Sequence, residues 1–285
     1  MNYRHSYHAG NFADVLKHAV LAAVLDYLKR KDPGFRIIDT HAGIGIYDLS
    51  SIEAQKTGEW RDGVGRVMDA DLSEPLAAFL SPWLQAVRAL NPQAEAALQL
   101  YPGSPKLARM LMRKQDRLSA IELHPADAEM LKSVFEGDYQ VRVTELDGWL
   151  ALGAHLPPKE RRGLVLIDPP FEQKGEFDRM VDGLARATRR FATGTYMLWH
   201  PIKADSPLEA FDAKLAALGR PRTLTVRLLV RDNKSTPGLN GSGLVIVNPP
   251  FTLEAELSAV LPELAALLAQ GPGASAETRM LVGEN

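Results

Sequence analysis

A chain of 285 residues is long enough to bury a sizeable core, as one large domain or as a domain carrying an insertion. It has 46% hydrophobic and 24% charged residues, an ordinary globular balance, and no cysteine, which removes disulfides and thiolate ligands, argues against zinc-dependent base deaminases and leaves no metal expected. No apolar run can cross a bilayer and the first residues form no signal segment, so a cytoplasmic location away from membranes is expected; the net charge of −2 confines any nucleic-acid site to a local patch.

Residues 1–10 are dense in rings and donors: Tyr3, Arg4, His5, Tyr7 and His8. They read either as a frayed terminus or as a lid, mobile without substrate, that stacks on a splayed-out base. Asn11 is an N-cap candidate, and Phe12, Val15, Leu16, Ala19, Val20, Ala23, Val24 and Leu28 follow at helical spacing. Asp14, Lys17 and His18 lie off that apolar stripe; a helical histidine there is either solvated or placed to bond a ligand. Pro33-Gly34 ends the helix, and Arg36–Asp39 is a short strand.

The loop after it, Thr40-His41-Ala42-Gly43-Ile44-Gly45, lets the backbone approach a ligand closely. It lacks the third glycine of a dinucleotide fingerprint, which favours a nucleoside without pyrophosphate. Residues 49–100 then break the alternation of strand and helix. Leu76, Phe79 and Leu80 suit one short helix, and Ser81-Pro82 suits the start of another over Trp83, Leu84, Val87 and Leu90. The expected organisation is a tail, a helix and the first part of the domain over 1–48, a helical insertion over 49–100, and the remainder over 101–285. Ser104-Pro105 predicts a helix with Ser104 as N-cap. Leu118–Glu122 is the next strand; its terminal acid, Glu122, is either a surface carboxylate or a ribose ligand. Asp147-Gly148, after the strand at Val141–Val143, is a plain turn or is set to read an adenine edge.

Gly163–Ile167 reads as a fully buried parallel strand that stops at Asp168-Pro169-Pro170-Phe171. Proline pushes the preceding residue into an extended backbone and supplies no N–H, so the strand cannot continue. The turn aims a carboxylate, the Pro169 carbonyl and a flat ring at the carboxyl edge of the sheet, where open α/β sheets bind ligands. An exocyclic amine fits there, one proton on Asp168 and one on the Pro169 carbonyl, with Phe171 stacked on its ring. Alone, the segment is also ordinary strand punctuation. Strands at Gly194–Trp199, Thr223–Val230 and Gly243–Val247 follow, and the last ends in a second copy, Asn248-Pro249-Pro250-Phe251. The short loop Arg231 to Ser242 implies a hairpin, so Asn248 faces away from the ligand edge as a structural turn, while the loop itself lies at that edge. The tail after Gly271 is left unassigned.

Asp-Pro-Pro-Phe resembles the Asp/Asn-Pro-Pro-Tyr/Phe signature of amino-methyltransferases, and Asp-x-His-x-Gly-x-Gly resembles the Asp-x-Phe-x-Gly-x-Gly loop of adenine-N6 methyltransferases, with His41 in place of Phe. Tyr-Arg-His-Ser-Tyr-His-Ala-Gly-Asn, Asp-Val-Leu-Lys-His, Tyr-Pro-Gly-Ser-Pro, Glu-Leu-His-Pro and Arg-Arg-Gly-Leu-Val-Leu-Ile-Asp-Pro-Pro-Phe together resemble the bacterial large-subunit methyltransferase J family, which methylates adenine N6 in 23S ribosomal RNA. The resemblance implies an α/β class I S-adenosylmethionine-dependent methyltransferase fold, Rossmann-like with a seven-stranded sheet and an inserted helical subdomain. It implies S-adenosylmethionine contacts from His18, His41, Gly43, Ser104, Glu122, Asp147, Gly148 and Asp168. It further implies that Tyr3 meets the RNA and that Asp168 is the catalytic acceptor; with His5, Pro169 and Phe171 as the other expected substrate contacts, the expectation is a monomer that needs no metal. Two other readings stay open: a DNA adenine methyltransferase, and a non-catalytic RNA-binding protein on the same scaffold.

Overall fold

Eight strands form one sheet in the order β10-β8-β9-β7-β6-β1-β4-β5 in a computed structural model that describes residues 4–92, 98–234 and 237–284. In chain order the strands are β1 (Arg36–Asp39), β2 (Ile46–Asp48), β3 (Leu100–Pro102), β4 (Arg117–Glu122), β5 (Val141–Glu145), β6 (Gly163–Ile167), β7 (Thr195–Ile202), β8 (Thr223–Leu229), β9 (Gly241–Val247) and β10 (Ser275–Val282). The five-strand run β5-β4-β1-β6-β7 is parallel throughout. β9 is antiparallel to both β7 and β8, as the short connecting loop requires, and β10 is antiparallel to β8. The seven expected strands are all present; the eighth, β10, comes from the unassigned tail. Every second residue of its first half is exposed, so it carries no continuous apolar run to betray it.

The helices are α1 (Phe12–Lys29), α2 (Ile52–Thr57), α3 (Val64–Asp69), α4 (Glu74–Leu90), α5 (Ser104–Leu111), α6 (Pro125–Val134), α7 (Gly148–Ala154), α8 (Glu176–Arg190), α9 (Leu208–Ala217) and α10 (Leu253–Leu267). Apolar residues of α1, α4, α5, α6 and α10 share one core on one face of the sheet; those of α7, α8 and α9 fill a second core on the other. α1 begins at Asn11, whose side chain accepts from Ala13 N and Asp14 N. It packs against α4, α5, β7 and β9 and is buried nearly all round, which brings its first turns to the carboxyl edge of the sheet.

Two local expectations change. Residues 74–90 form one helix that runs through Pro82. Leu76, Leu80, Trp83, Leu84 and Val87 make one buried face along it, and that packing outweighs the hydrogen bond Pro82 cannot donate. Ser104 is the first residue of α5 rather than its cap; Gly103 holds the cap position, and the Ser104 hydroxyl donates to Asp39 Oδ2 at 2.6 Å. The stretch 49–100 is bracketed by a small hairpin of β2 on β3 at its two ends.

Candidate functional site

The strand ends assemble the site. Asp39 ends β1, Glu122 ends β4, Asp168 follows β6, and the β8–β9 hairpin brings residues 231–234 and 237–240 to the same edge. Along that edge lies a cleft of about 1090 Å³, more than one small-molecule site of roughly 300–1,000 Å³ requires, so it can take two ligands side by side. His5, His18, His41, Gly43, Ser104, Glu122, Asp147, Gly148, Asp168, Pro169 and Phe171 all line it. Tyr3 lies outside the described residues.

One lobe is built on β1, β4 and β5. The Glu122 carboxylate accepts from Gly43 N at 2.9 Å and from His124 N at 2.8 Å, one bond per oxygen, and burial raises its pKa. This ties the glycine loop to the end of β4 and leaves acceptor capacity on both oxygens. Asp147 caps α7, accepting from Trp149 N and Leu150 N. Gly148 is a packing necessity: a Cβ there would sit 2.8 Å from the His41 ring. His41 lies edge-on to Trp149, with ring centroids 5.7 Å apart, and burial lowers its pKa to about 4, so it is neutral. His18 stacks beside Tyr101, whose hydroxyl is 2.8 Å from Nδ1, and burial lowers its pKa to about 3. Its Nε2 is buried without a partner among the described residues. A buried imidazole nitrogen left open beside a cleft is a place for a ligand atom.

The other lobe centres on Asp168. Lys17 Nζ donates to Asp168 Oδ2 at 2.6 Å and to Asp14 Oδ1 at 2.8 Å, with the lysine side chain 5% exposed. Burial opposes the Lys17 charge, yet Asp14 and Asp168 outweigh it and hold the pKa well above the ordinary lysine value. Burial likewise opposes ionised Asp14, and His5 and Lys17 more than reverse it. Asp14 Oδ2 also accepts from Gly10 N and lies 2.9 Å from His5 Nε2. Two carboxylates around one ammonium leave one net negative charge at the end of β6. Asp168 Oδ1 and the Pro169 carbonyl accept no hydrogen bond among the described residues. Phe171 has φ +53°, a left-handed conformation that costs a phenylalanine of order 1–3 kcal/mol, and it stands edge-on to Phe177 and Trp199. The Trp199 ring, 5.7 Å from Lys17 Nζ, closes this side of the lobe.

Asn248 belongs elsewhere. Its side-chain amide donates to Ala192 O and Gly194 O at the opposite sheet edge, where it stabilises a turn with its own φ of +52°. Lys17, Asp14, Asp39 and Trp199 are the site residues the sequence reading did not single out. Asp14, Lys17 and His18 are all buried: Lys17 bridges Asp14 and Asp168, and His18 lies against Tyr101. The spacing of three polar residues within one turn of an apolar helix is the signal that could have found them. The tail is not free either: Arg4–Gly10 fold onto the cleft through a short 3₁₀ turn, held by His5–Asp14 and by His8 Nδ1 at 3.0 Å from Glu59.

A parallel sheet with a reversed penultimate strand, a glycine loop after the first strand, an acid ending the second and Asp-Pro-Pro after the fourth define a class I methyltransferase. Residues 32–280 match the family described as ribosomal RNA large subunit methyltransferase D, RlmJ, and the chain belongs to that family. It is 43% identical to ribosomal RNA large subunit methyltransferase J of Escherichia coli, covering 93% of this chain and 92% of that one. It is also 43% identical to the protein of the same description from Haemophilus influenzae, covering 96% of each. A crystal structure from Legionella pneumophila superposes with a TM-score of 0.85 at 33% identity, covering 96% of this chain and 98% of that one. No helix among the described residues is long and apolar enough to cross a membrane.

Proposed function

We propose that the chain transfers the methyl group of S-adenosylmethionine to the N6 amine of an adenine in 23S ribosomal RNA, with Asp168 as the acceptor that positions the amine. The observation that carries the reading is the Lys17–Asp168 pair at the junction of two lobes, one lined by Glu122, Gly43 and Asp147, the other by Phe171 and Trp199. In the first lobe Glu122 holds the ribose, Asp147 with Gly148 and His41 borders the base, and the open Nε2 of His18 fits a polar atom of the cofactor. Ser104 has already given its hydrogen to Asp39, so its hydroxyl serves only as an acceptor. Bound S-adenosylmethionine supplies an already activated methyl group, so the protein's task is placement and electrostatics.

Adenine N6 is a poor nucleophile because its lone pair is delocalised into the ring. Hydrogen bonds from the amine to Asp168 Oδ1 and the Pro169 carbonyl favour a pyramidal nitrogen, with Phe171 against the ring. Lys17 fixes Oδ2, so the carboxylate presents Oδ1 in one orientation. The net negative charge of Asp14, Lys17 and Asp168 favours a cationic cofactor and the positive charge that develops on the amine. The base must be unpaired or flipped out to reach this depth. Tyr3 and His5 complete its cover, by resemblance to the family. We place this activity in the cytoplasm, in a monomer.

The test is transfer of labelled methyl from S-adenosylmethionine to protein-free 23S RNA and to DNA. RNA should be labelled by the native protein, and turnover should fall by at least a hundredfold in Asp168→Ala and Asp168→Asn. Labelling of DNA alone would replace this reading with a DNA methyltransferase, and labelling of neither with a binding protein.

A further inference from the structure

The mouth of the aromatic lobe is formed by two loops that act as one. Lys203 follows β7, and residues 231–234 and 237–240 lie between β8 and β9. Asn233 Nδ2 donates to Lys203 O at 3.0 Å and stitches the loops together. Arg231 donates to Asn240 Oδ1 at 2.9 Å and to Leu239 O at 3.0 Å, which shapes the hairpin from within. Lys203 and Leu239 line the cleft beside Trp199.

The side chains of Lys203 and Lys234 are exposed, and neither ammonium has a carboxylate partner among the described residues. Lys17, deeper in the cleft, is by contrast paired with both Asp14 and Asp168. The Asp232 carboxylate accepts from Lys234 N, a backbone contact. A chain with a net charge of −2 has no general attraction for RNA, so its contacts with phosphate must come from local cations. Lys203 lines the lobe that would take the target base, and Lys234 follows the Asn233 that bonds the Lys203 carbonyl, so two such cations lie close together beside the cleft.

Resting on the function proposed above, we propose that Lys203 and Lys234 form a phosphate clamp for the RNA strand flanking the target adenine. The clamp holds the backbone while the base enters between Phe171 and Trp199. Its partner is a flexible, single-stranded polyanion, because a base deep in the cleft requires its neighbours to splay. The clamp reads no sequence; it sets affinity and its dependence on salt.

The experiment compares native protein with Lys203→Ala, Lys234→Ala and the double variant. It measures methyl transfer to a 23S RNA transcript across a series of salt concentrations, and S-adenosylmethionine binding by calorimetry. Each single change should make the slope of log KM against log salt shallower by roughly 0.7, and the double change should raise KM for RNA on the order of tenfold at physiological salt. Saturated turnover and cofactor affinity should stay within twofold of native. An unchanged slope and KM would overturn the clamp, as would a loss confined to cofactor binding, which would assign the lysines to the other ligand. Asp168→Ala in the same assay separates the two ideas: its loss with intact lysine variants removes the clamp alone, whereas its full activity removes the proposed function.

Discussion

Lys17 decides what Asp168 can do. Its ammonium lies between two carboxylates in a nearly dry setting, and removing it would leave Asp168 without its ion-pair partner and Asp14 with only His5 beside it. Breaking a buried pair by deleting one partner typically costs about 3–5 kcal/mol, and the remaining carboxylate would lose its fixed orientation. Lys17→Met is therefore expected to lower the melting temperature and to cut turnover at least a hundredfold, with cofactor affinity measured by calorimetry much less affected. Near-native turnover would mean that Asp168 needs no orienting partner. Asp39 makes a prediction of the opposite electrostatic kind. Burial, opposed by the Ser104 hydrogen bond and helped by the nearby Asp168 charge, raises its pKa from 3.8 to about 7. Between those values the folded protein keeps a proton that the unfolded chain has released. The resulting stability is fully present below the unfolded pKa and is lost as pH rises through about 7. Asp39→Asn should flatten that dependence, so its melting temperature relative to native rises from pH 5 to pH 8; parallel curves for the two proteins would count against it.

At the scale of elements, the two Pro-Pro turns show how the same letters acquire different roles. β6 runs toward the ligand edge and β9 away from it, so direction alone puts Asp168 at the site and Asn248 outside it. Asn248→Ala removes two hydrogen bonds and places alanine at φ +52°, a loss of about 1–3 kcal/mol, while turnover of the folded enzyme stays native. If chemistry disappears instead, the turn is coupled to the site. The docked N-terminal segment titrates. A hydrogen bond to Glu59, opposed by burial, raises the His8 pKa, so the charged contact is complete at low pH and is lost as pH rises through that raised value. Hydrogen-exchange protection of residues 5–10, corrected for intrinsic chemistry, should fall between pH 6 and pH 8 in the native protein and be low at both in Glu59→Gln. The sequence displayed β1, β4, β6 and β7 because both their faces are largely buried, and it displayed Asp168, Glu122 and the glycine loop because each follows such a strand. It concealed β10, an edge strand with one wet face, and α4, whose proline invited a break that tertiary packing does not permit. Lys17 was hidden because its partner lies 151 positions away.

At the scale of the whole molecule, the main helix of the stretch 49–100 shares its core with the sheet. Leu76, Leu80, Trp83, Leu84 and Val87 of α4 belong to the same buried cluster as α1, α10 and the sheet residues Ile37, Leu118 and Leu166. Gly63 and Val64 meet the chain at Gly10, whose carbonyl accepts from Val64 N at 2.8 Å, so the stretch also braces the segment that leads into Asp14 and Lys17. An insertion that kept its own core would melt separately; one that shares the main core should melt with it. Trp83 is the test because it is fully buried and central to that shared surface. Trp83→Ala removes a large side chain from a close-packed interior, a loss of about 3–5 kcal/mol. The expected result is one cooperative transition by calorimetry and by far-ultraviolet circular dichroism, shifted down as a unit, with methyl transfer falling along the same curve as the fold. Two separated transitions, or a low-temperature loss of helix that leaves the sheet and cofactor binding intact, would show 49–100 to be an autonomous subdomain.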